Sequence, residues 1–460
     1  MTTTALPHVT ESKGKGRVPS VEPSATGFRI TADTLRVWGI RSAVSVFDQG
    51  LTAAVGFAVN IALARWLSAD AYGAFAVAFA TFLFVSGFHN VLLLEPLTVM
   101  GPSRHLNRLA TYFREQIVIH VILVGVLAAV ILLASGVFWW AAPKNFLLAS
   151  ALEGSGLALP FVTLLWLIRR MCYVLQRPSI ALLGSGFYVC FVLSGLFLLR
   201  YFHQISPLTA FGLMSTGSAF SAWVLWHKLG LKETQGPLDQ RRMMWREVAR
   251  ENWNYGRWLV GSTALNSVST QAQMLLVAST LGLGAAGVLR AMQIPALVMT
   301  HILSATGLLI LPAFSYDFGS GLIARLRHKA TVVSLGLAGG TVAFAAVLAL
   351  VAQRTEHLLY GGKYGEYAWL MPVLALVPAA LGASIGYSMA LRAMHRPHFD
   401  LVANTVAAPL GVISAIGLMH WWGLGGAAAS MVLSYITYAV VTCWIYRSTA
   451  QGARKELCHR

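Results

Sequence analysis

Three features of the sequence predict an all-α integral membrane protein of about 12 transmembrane helices, arranged as six plus six. The composition is too apolar for a soluble chain. The apolar residues gather into long continuous runs, and segments of the first half recur in the second. Of the 460 residues 57% are hydrophobic and 11% charged, where a soluble domain carries roughly 25% charged residues.

About 20 apolar residues cross a bilayer as a helix. Runs of that order lie at 43–64, 71–94, 116–140, 146–168, 178–199, 207–227, 258–281, 285–311, 330–352, 367–389, 400–420 and 424–446. A transmembrane barrel would show strands of about ten residues with strict alternation, and these runs are longer and unbroken.

The positions of Lys and Arg orient the spans, because cytoplasmic loops retain positive charge. Of the 34 basic residues, Arg65, Lys144, Arg200, Arg354 and Lys363 fall on one side and Arg290 inside a span. All the others share the opposite, basic face with both termini, which are therefore expected in the cytoplasm. Topology thus accounts for the net charge of +17, and no nucleic-acid partner is needed.

Residues 1–36 are rich in Ser, Thr, Gly, Pro and Lys and read as a disordered cytoplasmic tail. No cleaved signal peptide is expected, since the first apolar run is already of spanning length. Residues 37–228 form the expected first lobe, 229–257 a basic connector, 258–446 the second lobe and 447–460 a cytoplasmic tail. In the connector, "RRMMWREVARENWNYGRW" mixes Arg with Met and Trp. It suits either a helix lying on an anionic membrane surface or a plain basic link. Cys172, Cys190, Cys443 and Cys458 have no CxxC spacing, so neither a disulfide framework nor a zinc site follows.

The internal repeat appears in "RRMCYVLQRPSIALLGSG" from Arg169, which aligns without gaps on "SMALRAMHRPHFDLVANT" from Ser388. Arg177-Pro178 matches Arg396-Pro397, each at a span start, where Pro fits the first helical turn. A weaker match sets "LARWLSADAYGAFAVA" from Leu63 on "VASTLGLGAAGVLRAM" from Val277, pairing Gly73 with Gly287. Both repeats keep the same in/out sense, so the halves are related by an axis along the membrane normal.

"DQGLTAAVGFAVNIALARWLSADAYGAFAVA", "LLLEPLTVMGP", "GAAGVLRAMQI" and the Arg-Pro repeats resemble polysaccharide flippases of the Wzx type. These belong to the multidrug/oligosaccharidyl-lipid/polysaccharide (MOP) exporter superfamily. The resemblance implies two six-helix lobes around a central cavity, alternating between inward-open and outward-open states. It also implies translocation of undecaprenyl-pyrophosphate-linked oligosaccharide across the bacterial inner membrane, with polysaccharide polymerase and export machinery as partners and no cofactor.

The spans themselves carry polar stripes. At 100° per residue, Arg290, Gln293, His301 and Ser304 share an arc of about 80°. Thr263, Asn266, Thr270 and Gln273 do the same in span seven, and Asp48, Thr52, Gly56 and Asn60 more loosely in span one. Charge at membrane depth is costly unless it meets water or a partner. The stripes therefore line a wet cavity or make hydrogen bonds between helices. Arg290, Gln293, His301, Gln273, Asn266 and Asn60 are the candidate substrate-binding residues. Asp48 and Glu153 are candidates for ion coupling, although Asp48, near the basic face, equally suits an interfacial or salt-bridge role. Pro160 and Pro295 read as kinks.

Enzyme motifs do not hold up. "GLGAAG" at Gly282–Gly287 matches a dinucleotide pattern but sits between two spans without βαβ context. No HExxH or Walker A pattern occurs, and no metal-ligand cluster. A drug/cation antiporter of the same superfamily is the alternative transporter, and it would want acidic groups in the cavity. A membrane polymerase or ligase is the alternative of another class, and it would want a larger external loop than 353–366.

Overall fold

The structure, a computed structural model, describes residues 32–142, 145–230, 245–394, 396 and 398–458. The chain divides into two compact units, Met1–Ala43 and Val44–Arg460. In the first, the described residues open the helix α1 (Ala32–Trp66), and the expected tail 1–31 lies outside the described residues. The second unit carries the rest of α1 and every later helix.

After α1 come α2 (Ala69–His89), α3 (Glu95–Arg104), α4 (Leu109–Ala141), α5 (Phe146–Val174), α6 (Pro178–Tyr201) and α7 (Pro207–Leu229). The second half holds α8 (Trp245–Leu281), α9 (Leu283–Gly319), α10 (Ile323–Tyr360), α11 (Leu370–Ala393) and α12 (His398–Cys458). Among the described residues ten helical stretches are long and apolar enough to cross a membrane. The twelve expected spans are all helical: α12 contains two, parted by the non-helical Gly423, and α8 carries the polar seventh.

Several boundaries differ from expectation for local reasons. Span two does not stop at residue 94: a π-helical turn, Asn90–Leu94, joins α2 to α3 without a break. The helix of span seven begins at Trp245, so much of the expected connector is the first turns of α8, while 231–244 lie outside the described residues. The expected C-terminal tail is likewise helical as far as Cys458.

Turns are built from residues that satisfy helix ends. Ser68 caps α2 by accepting from the Ala71 amide at 3.2 Å, and Ser206 and Thr209 cap α7 reciprocally, with Pro207 in its first turn. Pro178 likewise opens α6. The α10–α11 turn passes through Gly361 and Gly362 at φ 73° and 85°, a left-handed region that favours glycine.

Burial follows position. α2, α5 and α11 are interior, whereas α4, α6 and α10 turn large apolar side chains outward, Leu133 and Leu350 among them. Trp140, Tyr201, Trp369, Trp421 and Trp422, all exposed, mark the ends of the spans opposite the basic face, as interfacial aromatics do. In the first half α5 packs on α2, α4 and α7, and in the second α11 packs on α9, α10 and α12. The halves meet mainly where α2 lies against α8 and α9.

Several interior polar groups pair across helices. His120 of α4 bonds His89 of α2 at 3.1 Å and the Pro160 carbonyl of α5 at 3.1 Å. Gln116 of α4 and Asn252 of α8 exchange both amide hydrogen bonds, at 3.2 and 2.9 Å. This second pair ties the start of α8 to the first half.

Candidate functional site

A cavity of about 460 Å³ opens between the halves. α1 supplies Thr52, Gly56, Phe57 and Asn60, and α8 supplies Thr270, Gln271 and Gln273. From α9 come Arg290, Gln293, Thr300 and His301. Phe79 of α2, Pro378 of α11 and Tyr435 of α12 complete the wall. Thr52, Gly56, Asn60, Thr270, Gln273, Arg290, Gln293 and His301 belong to the three polar stripes that helical periodicity marks, whereas Asp48, Thr263 and Ser304 of those stripes do not line this cavity. Three amphipathic helices turn their polar arcs to one space because lipid accepts only their apolar arcs.

Asn60, Gln273, Arg290, Gln293 and His301 are thus brought together. The side chain of Asn266, the sixth candidate, lies outside the described residues. Asn60 donates to the Gly56 carbonyl at 2.9 Å and accepts from the Tyr72 hydroxyl at 3.3 Å, which fixes its amide. Gln293 donates to the Met431 sulfur at 3.1 Å. His301 meets Phe57 edge to face, with centroids 5.6 Å apart.

Arg290 lies under the Phe79 ring, its guanidinium carbon 5.8 Å from the centroid. Among the described residues it makes no ion pair, its Nε is buried without a hydrogen bond, and no carboxylate lines the cavity. The cation and its ring are pre-formed, while the guanidinium's hydrogen-bonding capacity stays unspent. Arg290 is seven residues, about 10 Å, from the outer end of α9, so it stands toward one end of the cavity rather than at mid-depth.

The two candidate coupling carboxylates lie elsewhere. Asp48 is fully buried and pairs with Arg169 of α5 at 2.6 Å, and it also accepts from the Tyr173 hydroxyl. The salt-bridge role is the one the geometry realises, and sequence reasoning missed the partner because Arg169 reads as a loop residue. Glu153 is half-buried, about 10 Å from the start of α5, and lines neither this cavity nor the one that adjoins it toward the basic face.

The repeat shows how Arg169 could have been found. Arg169 and Tyr173 align with Ser388 and Arg392, and Ser388 and Arg392 hold Asp400 at 2.8 and 2.7 Å. Both halves clamp a carboxylate from the same two helical positions, with the guanidinium and the hydroxyl exchanged. The carboxylate comes from α1 in one half and from α12 in the other.

The outer turn of α10–α11 holds the first half. Lys363 caps α1 by donating to the carbonyls of Ala64, at 2.8 Å, and Leu67, and the Tyr364 hydroxyl reaches Ala64 at 3.1 Å. Burial pushes the Lys363 pKa below the ordinary lysine value. Glu356 accepts from the Tyr364 amide at 2.7 Å and anchors the turn to α10.

Solved structures share this architecture. An inward-facing multidrug resistance MATE family transporter of the MOP superfamily superposes with a TM-score of 0.75 over 88% of this chain and 96% of that one, at 12% identity. The chain has the fold of MOP-superfamily transporters. The lipid II flippase MurJ, in an inward closed conformation, matches with a TM-score of 0.68 over 89% of this chain and 87% of its own, also at 12% identity. The eukaryotic MATE transporter AtDTX14 matches at 0.64 over 92% and 99%, at 14% identity. By sequence, no family model and no curated protein matches.

Proposed function

We propose that the protein is a flippase that carries undecaprenyl-pyrophosphate-linked oligosaccharide from the cytoplasmic to the periplasmic leaflet of a bacterial inner membrane. The observation that carries this reading is Arg290, a cation in a cavity where it faces amides, hydroxyls and apolar side chains and, among the described residues, no carboxylate. A guanidinium binds phosphate oxygens through two parallel hydrogen bonds that an ammonium cannot copy. Asn60, Asn266, Gln273, Gln293 and His301 receive the polar remainder of the headgroup while the polyprenyl tail stays in lipid. Residues 37–228 and 258–446 rock as two lobes about this site, with both termini cytoplasmic, and hand the product to polymerase and export machinery.

The test compares export with membrane abundance. Arg290→Lys loses most export and Arg290→Ala nearly all, both at normal abundance, and lipid-linked units accumulate facing the cytoplasm. Normal export in Arg290→Ala ends the reading.

The MATE-type fold favours a second reading, a drug/cation antiporter of the same superfamily. It calls for an acid in the cavity, and the lining has none. Drug hypersensitivity of a deletion strain whose lipid-linked sugars are normal would select it.

A further inference from the structure

A second cavity, of about 490 Å³, adjoins the first and shares Thr270 and Tyr435 with it. It lies nearer the basic face on each helix that lines both. On α9, Ser304 follows His301, on α11 Arg392 follows Pro378, and on α8 Thr263 precedes Thr270. From Arg290 to Ser304 the separation along α9 is about 21 Å, so the two spaces form one route with Arg290 toward its outer end.

Its chemistry differs from that of the first. Arg392 binds Asp400 through Nε at 2.8 Å and Nη2 at 2.7 Å, and the other carboxylate oxygen accepts from Ser388 and from Tyr438 at 3.2 Å. The carboxylate is therefore saturated and neutralised. Several polar hydrogens around it are also committed inward. Ser434 donates to the Ala407 carbonyl at 3.1 Å, Ser304 to Thr300 at 2.9 Å and the Asn404 amide to the Asp400 carbonyl at 3.0 Å.

What faces the space is a set of oxygen lone pairs, the hydroxyls of Thr263 and Tyr435, and one guanidinium edge, on an Arg392 side chain that is 47% exposed. A cation would have to displace Arg392 from Asp400. An anion would meet acceptors and a guanidinium already neutralised. A sugar hydroxyl, which donates and accepts at once, satisfies both kinds of group.

We propose that this second cavity holds the neutral, polyhydroxylated part of the transported amphiphile while Arg290 holds its diphosphate. The inference rests on the flippase reading and adds to it a division of the headgroup between two subsites. Asn404 and Tyr438 then read the glycan and leave the phosphate contact untouched.

The test uses purified full-length protein and two probes, undecaprenyl diphosphate and undecaprenyl-diphospho-N-acetylglucosamine, with affinities measured by tryptophan fluorescence. The wild type binds the glycosylated probe about tenfold more tightly. Asn404→Leu and Tyr438→Phe abolish that difference and leave the bare diphosphate unchanged, which also reports that the variants are folded. Arg290→Ala weakens both probes alike. An undiminished preference in both cavity variants, or an equal loss for both probes, overturns the inference and leaves the flippase reading standing. Failure of the wild type to bind either probe overturns the flippase reading and the inference with it.

Discussion

Gly73 and Gly287 occupy matching positions of the two halves and pack against one another where α2 crosses α9. A Cβ on Gly73 would stand 1.7 Å from the Leu283 carbonyl oxygen, and one on Gly287 would stand 2.9 Å from the Gly73 amide nitrogen. The contact is reciprocal, since a Cβ on Gly287 would likewise stand 2.4 Å from the Ala69 carbonyl oxygen. Any side chain here forces the two backbones apart. Gly73→Val or Gly287→Val is expected to destabilise the protein by about 1–3 kcal/mol, read as a lower melting temperature in detergent. Gly125→Ala, which faces open space, leaves the temperature unchanged and serves as the control.

The Lys363 clasp on α1 joins the halves at the outer end. In a background lacking Cys172, Cys190, Cys443 and Cys458, cysteines at Leu67 and Lys363 should crosslink and stop transport, and reduction should restore it. Full activity with a complete crosslink would rule out rocking of the lobes. Lys363→Met, which removes the donor and keeps the stem, should lower crosslinking between neighbouring pairs such as cysteines at Arg65 and Leu358.

Arg169 neutralises a carboxylate that has no exposure to solvent. Removing one partner of a buried pair leaves a bare charge, at a cost of about 3–5 kcal/mol. Arg169→Met should therefore reduce membrane abundance severely, and the double variant with Asp48→Asn should recover much of it. Equal abundance in the single and double variants would show that the pair contributes nothing to folding.

Glu153→Gln should leave both the rate and the pH dependence of transport unchanged, because Glu153 touches neither cavity. A shifted pH profile in this variant, measured as flipping into vesicles, would return it to the coupling machinery.

Much of this was legible in the sequence, and for a physical reason. Lipid imposes length and apolarity on every span, so the runs announce themselves, and helical periodicity then singles out the residues that face water. Asn60, Gln273, Arg290, Gln293 and His301 were found that way. Asp48 with Arg169, and Asp400 with Arg392, were not, because each pair joins two helices and no periodicity within one helix reports its partner. Lys363 read as one of five basic residues on the outer side, since a loop carries no pattern that reveals a cap on a distant helix. The extension of span two past residue 94 was hidden for a related cause. Its π turn keeps the chain helical through Glu95 and Pro96, residues that in sequence signal an end.

The exchanged clamps have a mechanical consequence. In the first half the carboxylate belongs to α1, so α1 is fastened to α5 and moves with it. In the second half the carboxylate belongs to α12, so that clamp fastens α12 to α11, and α8, the counterpart of α1, takes no part in it. α8 instead bonds α4 through Asn252 and Gln116 near one end and packs on α12 along its length. Two halves of common backbone plan are thus braced differently: the first ties its opening helix, α1, within its own half, whereas the second ties its opening helix, α8, across to the first through Asn252 with Gln116 and Glu251 with His105.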